Sequence, residues 1–336
     1  MIDVPVLLDQ LPLVFRLRDG IDAGLSRRVL DRAVRDGLLV RRARGVYANG
    51  PAWDAADRTD RHLMTAQAAV LVHPGLPASH HSAALAWQLP TPLALPPWVS
   101  LASGSRLATA SSAGIARLEP GELPAEHVLH RGGMPVTIPA RTLVDCLRTL
   151  PLPDAVALVD AAVRQRLVSR AELERMRAFQ RGWPNVTKVD QGLMLADPRR
   201  ENWFESYSFV RLVQFELPLP RAQVEIYDRR GRLVARVDGL WREQGTVGEA
   251  DGAGKYLGQF DPAGAGGLAA ARVVLAEKVR EDRIRDLGLE LVRWDFPDMV
   301  YRPQEVADRV QAAHARGDLG RFRGRLVERP MPGWAA

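Results

Sequence analysis

"VARVDGLWREQGTVGEADGAGKY", residues 234–256, decides how the C-terminal half of this chain is read. "RLVARVDGLW" alternates as a strand that Asp238 ends, and "GTVGEADG" alternates as the next one. Residues two apart on a strand share a face, so Glu249 and Asp251 stand together and Asp238 can join them from the adjacent strand. Carboxylates converging in this way are hard oxygen ligands of the kind that suit Mg²⁺ or Mn²⁺, which orients water and neutralises charge on a scissile phosphate. A lysine nearby would stabilise the transition state, and Lys255 is the only local candidate. The competing reading makes Asp238-Gly239 and Asp251-Gly252 turn residues at strand ends. It accounts for each aspartate separately, but not for Glu249 between them.

Working outward, "RRENWFESYSFVRLVQFELPLP" (199–220) opens with a helix that carries Glu205, with Phe204, Phe209, Leu212 and Val213 as core candidates. "AQVEIYD" and a turn at Arg230-Gly231 complete an antiparallel hairpin with the strand of Asp238. Downstream of the glycine-rich "DPAGAGG" come a charged helix, "LAAARVVLAEKVREDRIRDLG", and a strand, "LELVRWDF", with Val292, Trp294 and Phe296 on one face. The glycines lack the Lys-Ser/Thr of a phosphate-binding loop, which favours a connection over a nucleotide site. Arg280, Arg283 and Arg285 either face phosphates or form an ordinary solvated helix face.

At the other end, "GLSRRVLDRAVRDGLLVRRARGVYANG" (24–50) offers Ser26 as a helix N-cap and Gly37 as a left-handed stop. Leu30, Ala33 and Val34 fall on one side of that helix, and Arg28, Arg32 and Arg35 on the other. Two short strands follow, Leu39 to Arg42 and Val46-Tyr47, turned by Ala43-Arg44-Gly45. This is the plan of a winged helix-turn-helix. Its recognition helix would enter the major groove, and Arg41, Arg42 and Arg44 of the wing would meet phosphates or the minor groove. The residues assigned to DNA contact are therefore Ser26, Arg27, Arg28, Arg32, Arg35, Arg41, Arg42 and Arg44. A solvated charged face beside an ordinary hairpin is the competing account.

Residues 51–195 mix helical stretches ("RHLMTAQAAVLVH", "ARTLVDCLRTL", "DAVALVDAAVRQRL") with a strand, "WVSLAS", and a hairpin turned at Gly132-Gly133. His80-His81 has no partner at zinc spacing and, beside Ser79 and Ser82, reads as capping and packing. Asp145 and Asp160, in apolar helices, are better explained by capping or arginine partners than by an acidic pair.

The chain's 336 residues exceed one typical core, and 46% hydrophobic content supports folded domains. A net charge of +6 makes an anionic partner, usually nucleic acid, plausible. All but three of the 46 basic residues are arginine. The single cysteine, Cys146, excludes an internal disulfide framework and reads as a small core residue. No signal peptide or membrane-length apolar run is visible, so a cytoplasmic location with no membrane partner is expected.

Taken together, "GLSRRVLDRAVRDGLLVRRARGVYA", "SHHSAALAWQLP" and "IPARTLVDCLRTLP" resemble the AbiEi-type antitoxin-like winged-helix proteins of actinobacteria. "FESYSFVRL", "RLVARVDGLW", "GEADGAGKY" and "EKVREDRIRDLGLELVRWDF" are similar to the Vsr-like, PD-(D/E)XK endonuclease-related domains fused to such proteins. The resemblance implies Glu205 as the acid of the first core helix, and Asp238 and Glu249 as metal ligands, joined by Asp251. Asp251 stands where acid-x-lysine nucleases have lysine, and Lys255 is then the displaced replacement.

The expected architecture is a multidomain α+β/α/β chain. It comprises a winged helix-turn-helix (1–50), a central mixed α/β region (51–195), a restriction-endonuclease-like mixed sheet flanked by helices (196–312) and a basic tail (313–336). Two functions stay open: Mg²⁺-dependent (or Mn²⁺-dependent) DNA cleavage, and antitoxin-type repression with an inactive nuclease-like domain. DNA is the expected partner, with a cognate toxin beside it. A homodimer is compatible with this plan, although no coiled-coil heptad supports one.

Overall fold

The structure, a computed structural model, describes residues 4–105, 111–252, 268–331 and 334; Lys255 and the stretch 261–267 lie outside them. The described chain is a mixed α/β protein with several separate sheets. It divides into two compact units, the first comprising Met1–Leu150 with Glu172–Val186, the second Pro151–Ala171 with Thr187–Ala336. Among the described residues, no helix is long and apolar enough to cross a membrane.

The first unit opens with α1 (Val4–Asp9), β1 (Val14–Arg16), α2 (Leu17–Asp22), α3 (Arg27–Arg35), β2 (Leu39–Ala43) and β3 (Val46–Asn49). β3 is central and antiparallel to both neighbours, in the order β1-β3-β2. Ser26 caps α3, its Oγ accepting the Val29 N–H at 3.3 Å, and Leu30 and Ala33 bury the inner face. Gly37, at φ +74°, ends that helix and lets the chain turn back into β2. One face of the sheet joins Phe15 and Tyr47 to Leu25, Leu30 and Leu39. Its other face is covered by α4 (Gly50–Ala55) and α5 (Arg58–Val72), with Val14, Val46 and Ala48 against Met64, Ala68 and Trp53.

Next come α6 (His80–Ala86), β4 (Val99–Ala102), β5 (Ser111–Ala113) and β6 (Ala116–Glu119), then β7 (Val128–Arg131), β8 (Met134–Thr137) and α7 (Pro139–Thr149). β4 runs parallel to β6, β5 antiparallel to it, and β7 and β8 form the expected hairpin over Gly132-Gly133. Asp145 on α7 is wholly buried between Arg141 (2.7 Å) and Arg148 (3.0 Å), with Gln180 donating at 2.9 Å. Against the burial that would raise it, the His80 ring, charged at the low pH where the carboxyl titrates, and then the two guanidinium groups hold it below the usual range. The arginine-partner reading of Asp145 is correct, and Cys146 beside it is a buried core residue. His80 and His81 are packed as expected, but capping is not their role: Ser79 makes no cap bond and instead pairs with the His80 ring at 2.9 Å. His81 Nε2 meets the Trp98 carbonyl oxygen at 2.8 Å, and burial lowers both histidines to about 4, leaving them neutral.

The second unit begins with α8 (Leu152–Arg164); α9 (Arg170–Phe179) and α10 (Val186–Leu195) carry the chain across the boundary. α11 (Trp203–Val213), β9 (Arg221–Tyr227), β10 (Leu233–Trp241) and β11 (Thr246–Asp251) follow, then α12 (Leu268–Asp286), β12 (Glu290–Asp295), α13 (Phe296–Tyr301), α14 (Pro303–Arg316) and β13 (Arg325–Val327). The sheet order is β12-β11-β10-β9-β13, antiparallel except for the β11–β12 pair that α12 connects. One apolar layer gathers Phe204, Phe209 and Leu212 of α11 with Trp241, Trp294 and α14. The other sets Ile284 of α12 against Val224, Ile226, Ala235 and Val237.

Two expectations change here. Phe296 starts a helix instead of closing a strand face, with Asp295 capping through the Asp298 N–H at 2.8 Å. The segment 313–336 is not a detached tail, because Arg325–Val327 form the outer strand against β9. Asp160 has the arginine partner expected of it: it accepts from Arg200 at 2.9 Å, and also from Ser206 at 2.8 Å and the Asp197 N–H at 2.7 Å, fastening α8 to the start of α11.

Candidate functional site

In the first unit, the outer face of α3 presents Arg27, Arg28, Arg32 and Arg35 to solvent, and Arg44 is exposed at the hairpin tip. Arg32 is drawn toward Asp36 at 3.4 Å, and Arg41 toward Asp31 at 3.2 Å while lying over the Tyr47 ring. Such exposed pairs are weak and leave guanidinium groups available to another anion. Ser26, the cap, is also exposed.

Arg42 departs from the reading of the sequence. Alternation along β2 sends Leu39 and Arg41 toward α3 and Val40 and Arg42 to the opposite face. There Arg42 stacks 3.8 Å over the Trp53 ring and donates to Thr65 Oγ1 at 3.1 Å. Burial lowers its pKa. It ties the hairpin to α4 and α5 instead of pointing outward with Arg41 and Arg44.

In the second unit the four sequence-selected acids occupy two adjoining settings. β10 and β11 pair only from Gly239↔Gly248 to Trp241↔Thr246, so the strands part beyond that point. Asp238 sits in the fork, and its Oδ2 accepts the Ala250 N–H at 2.9 Å. Its other oxygen faces the Gln223 amide at 3.5 Å, and the same amide donates to Glu205 Oε2 at 3.0 Å. Glu205 is held from its own helix start by the Glu201 N–H at 2.8 Å and the Asn202 amide at 2.5 Å. Gly239 is therefore no turn residue: it lies within β10, where a Cβ would come 2.5 Å from the Phe209 ring.

Burial, then the charges of Glu205 and Glu249, push the Asp238 carboxyl up to about 8. Burial raises Glu205 as well. The two carboxyls thus titrate as a pair that retains a proton near neutrality.

Glu249 and Asp251 point to the α12 side and are matched by arginines. Arg280 bonds both Glu249 oxygens, at 2.5 and 3.2 Å, and also Glu277 at 2.7 Å. Arg293 bonds both Asp251 oxygens, at 2.8 and 2.9 Å, and reaches Glu277 at 2.6 Å and Glu281 at 2.7 Å. Burial raises the Glu249 carboxyl in spite of Arg280, while Arg280 itself, desolvated, is kept firmly charged by Glu249 and Glu277. The two-point contact of the pair is that of an ionised carboxylate. Hydrogen bonding to Asp251 likewise raises Arg293.

The structure thus brings Glu205 and Asp238 together, with Glu249 near enough to act on Asp238 electrostatically. It does not gather Asp238, Glu249 and Asp251 around one point: among the described residues, no group of three or more His, Cys, Asp or Glu side chains is arranged to hold a metal. Lys255 lies outside the described residues. Sequence reasoning missed Gln223, which bridges the two acids, and missed Arg293, while Arg280, read as facing phosphates or as a solvated helix charge, instead binds Glu249. In the sequence Gln223 stands in the polar phase of β9, with Arg221, Glu225 and Tyr227, so alternation does not mark it; only its burial in the fold does.

Residues 7–50 match the family described as transcriptional regulators of the AbiEi antitoxin type. The uncharacterized protein MT2308 of Mycobacterium tuberculosis (strain CDC 1551 / Oshkosh) is 29% identical over 178 residues, which are 53% of this chain and 61% of that protein. The uncharacterized protein Rv2248 of strain H37Rv matches to the same extent. This chain therefore spans about three fifths of the length of the curated relatives it matches. The crystal structure of the RV2827C protein from Mycobacterium tuberculosis aligns with a TM-score of 0.38 and 19% identity, over 56% of this chain and 74% of that one.

Proposed function

We propose that this protein is a DNA-binding transcriptional regulator whose N-terminal segment is a winged helix-turn-helix. The carrying observation is the order α1-β1-α2-α3-β2-β3 closed into the sheet β1-β3-β2, with the arginine side of α3 exposed. In this reading α3 enters the major groove with Arg27, Arg28, Arg32 and Arg35, while Arg41 and Arg44 of the wing meet phosphates. Ser26, itself exposed, caps the helix start, where backbone N–H groups can meet a phosphate. The match of residues 7–50 to antitoxin-type regulators supports the same assignment and makes a cognate toxin the second partner. Two copies on a palindromic site complete the proposal.

Fluorescence anisotropy on a labelled operator-length duplex tests it. Binding should weaken with salt, and Arg28→Ala with Arg35→Ala should lower the slope of log K against log salt by about 2. Salt-independent binding, or a slope the double variant leaves unchanged, would count against it.

A second reading, phosphodiester cleavage by a restriction-endonuclease-like second unit, is favoured by the meeting of Glu205 and Asp238 in the β10–β11 fork. The succession of a helix, three antiparallel strands, a crossover helix and a parallel strand agrees with it. Mg²⁺ or Mn²⁺ would supply charge neutralisation and an activated water. The acids as they stand do not suit such an ion, since Arg280 and Arg293 occupy Glu249 and Asp251. Calorimetric titration of Mn²⁺ into the protein and its Asp238→Ala variant, with plasmid nicking followed in parallel, decides between a working site and a remnant.

A further inference from the structure

The hairpin joining β9 to β10 reads Asp228-Arg229-Arg230-Gly231-Arg232, and it is built as a rigid presenter of arginines. Asp228 Oδ1 accepts the N–H groups of Arg230 (2.8 Å) and Arg232 (2.9 Å), and its Oδ2 accepts Arg232 Nε at 2.9 Å. Gly231, at φ +75°, supplies the left-handed step this turn needs. Both oxygens of Asp228 are thereby spent on holding the turn. Among the described residues, the Arg229 and Arg230 side chains make no hydrogen bond or ion pair, and both are exposed.

These residues line a shallow pocket of about 320 Å³, completed by Asp286 and Leu287 at the end of α12 and by Arg323 ahead of β13. Arg323 is steadied by the carbonyl oxygens of Gly320 (2.8 Å) and Phe322 (3.3 Å). Four arginines and two aspartates line it; Arg232 and Asp228 are committed to each other, which leaves Arg229, Arg230 and Arg323 against Asp286. A hollow for a small organic ligand is lined mainly by apolar side chains, and here Leu287 is the single one. Arg321, drawn toward Asp318 at 3.7 Å, and Arg325, the first residue of β13, are exposed on either side of Arg323 along the chain.

We propose that this pocket grips the phosphodiester backbone of duplex DNA and is a second DNA contact carried by the second unit. The planar guanidinium fork matches phosphate oxygens two at a time, and a fixed turn lowers the ordering cost of meeting them. The site reads phosphates and not bases, so it adds affinity without sequence preference. It rests on the DNA-binding reading above but uses none of the residues of α3 or its wing.

The test is anisotropy of the full chain with a labelled duplex of arbitrary sequence, across a salt series. The double variant Arg229→Gln with Arg230→Gln should reduce the slope of log K against log salt by about 2. The variant Arg229→Lys with Arg230→Lys should retain most of that slope, as a charge contact predicts. Both side chains are exposed, and unchanged circular dichroism melting will show that the fold is intact. An unchanged slope in the Gln variant overturns the pocket assignment, whatever the Arg28/Arg35 variant does. A loss in the Gln variant beside an unaffected Arg28/Arg35 variant upholds the pocket and sinks the N-terminal reading. Competition by poly-glutamate as effective as by duplex, charge for charge, would overturn the nucleic-acid assignment.

Discussion

Replacing Asp238 with Asn probes the carboxylate fork directly. The folded Asp238 carboxyl is pushed up to about 8 by burial and by Glu205 and Glu249, whereas in the unfolded chain it titrates near 3.9, to within about a unit. A carboxyl raised on folding contributes stability that is fully present below its unfolded pKa and is lost as pH rises through the folded one. Between about pH 5 and about pH 7 the native state holds a proton that the unfolded chain has released, and stability falls by about 1.4 kcal/mol per pH unit on this account. The Asp238→Asn variant has no such proton, and it keeps an oxygen for the Ala250 N–H.

Its unfolding free energy should therefore gain on the wild type by about 3 kcal/mol between those two pH values, an order-of-magnitude figure because Glu205 shares the titration. Taking the difference between the two proteins cancels the ionisable groups that do not interact with Asp238, leaving Asp238 with Glu205 and Glu249. Hydrogen exchange of the β10 and β11 amides across pH confines the readout to the second unit, and a carboxyl ¹³C titration reports the midpoint. A difference that stays flat over this range, or a midpoint near the ordinary aspartate value, would refute the argument that the acids act on one another in a buried fork.

Arg42→Ala should cost about 1–2 kcal/mol in thermal unfolding, through the lost Trp53 stack and Thr65 bond, and should leave DNA affinity as it was. A loss of affinity matching that of Arg28→Ala would reverse its assignment. Asp145→Ala leaves Arg141 and Arg148 buried without their counter-charge and should destabilise the first unit by about 3–5 kcal/mol in urea titration. A cost below about 1 kcal/mol would mean that water or a rearranged Gln180 replaces the carboxylate. Gly248→Ala would set a Cβ 2.7 Å from Trp241 and 2.8 Å from Trp294. It should lower stability by about 1–3 kcal/mol, readable as a shift in tryptophan fluorescence melting.

Local pattern alone determined the elements that depend on neighbours in sequence. Ser26, the Leu30/Ala33 spacing and Gly37 specify α3. Alternation specifies β9 through β11, and the glycine pair specifies the β7–β8 turn. Helix capping, turn geometry and side-chain periodicity act over a few residues, so they are legible without the fold. The acids at 205, 238, 249 and 251 were likewise visible as acids in the right elements.

What each acid faces was decided by tertiary packing. Asp238 reaches Glu205 because Gln223, from the neighbouring strand, stands between them, whereas Glu249 and Asp251 turn to a helix that begins 17 residues after Asp251 and find Arg280 and Arg293 there. Arg42 reads like Arg41 and Arg44 in the chain, yet it lies under Trp53 because α4 and α5 close over one face of a sheet whose hairpin looks free in isolation. The outer strand β13 was invisible for the same reason: three residues carry too little periodicity to announce a strand, and only pairing with β9 makes them one. Charge pairing and strand pairing are long-range in sequence. Their partners are chosen by the fold, and it is the partners that separate a carboxylate held by arginine from one left to share a proton.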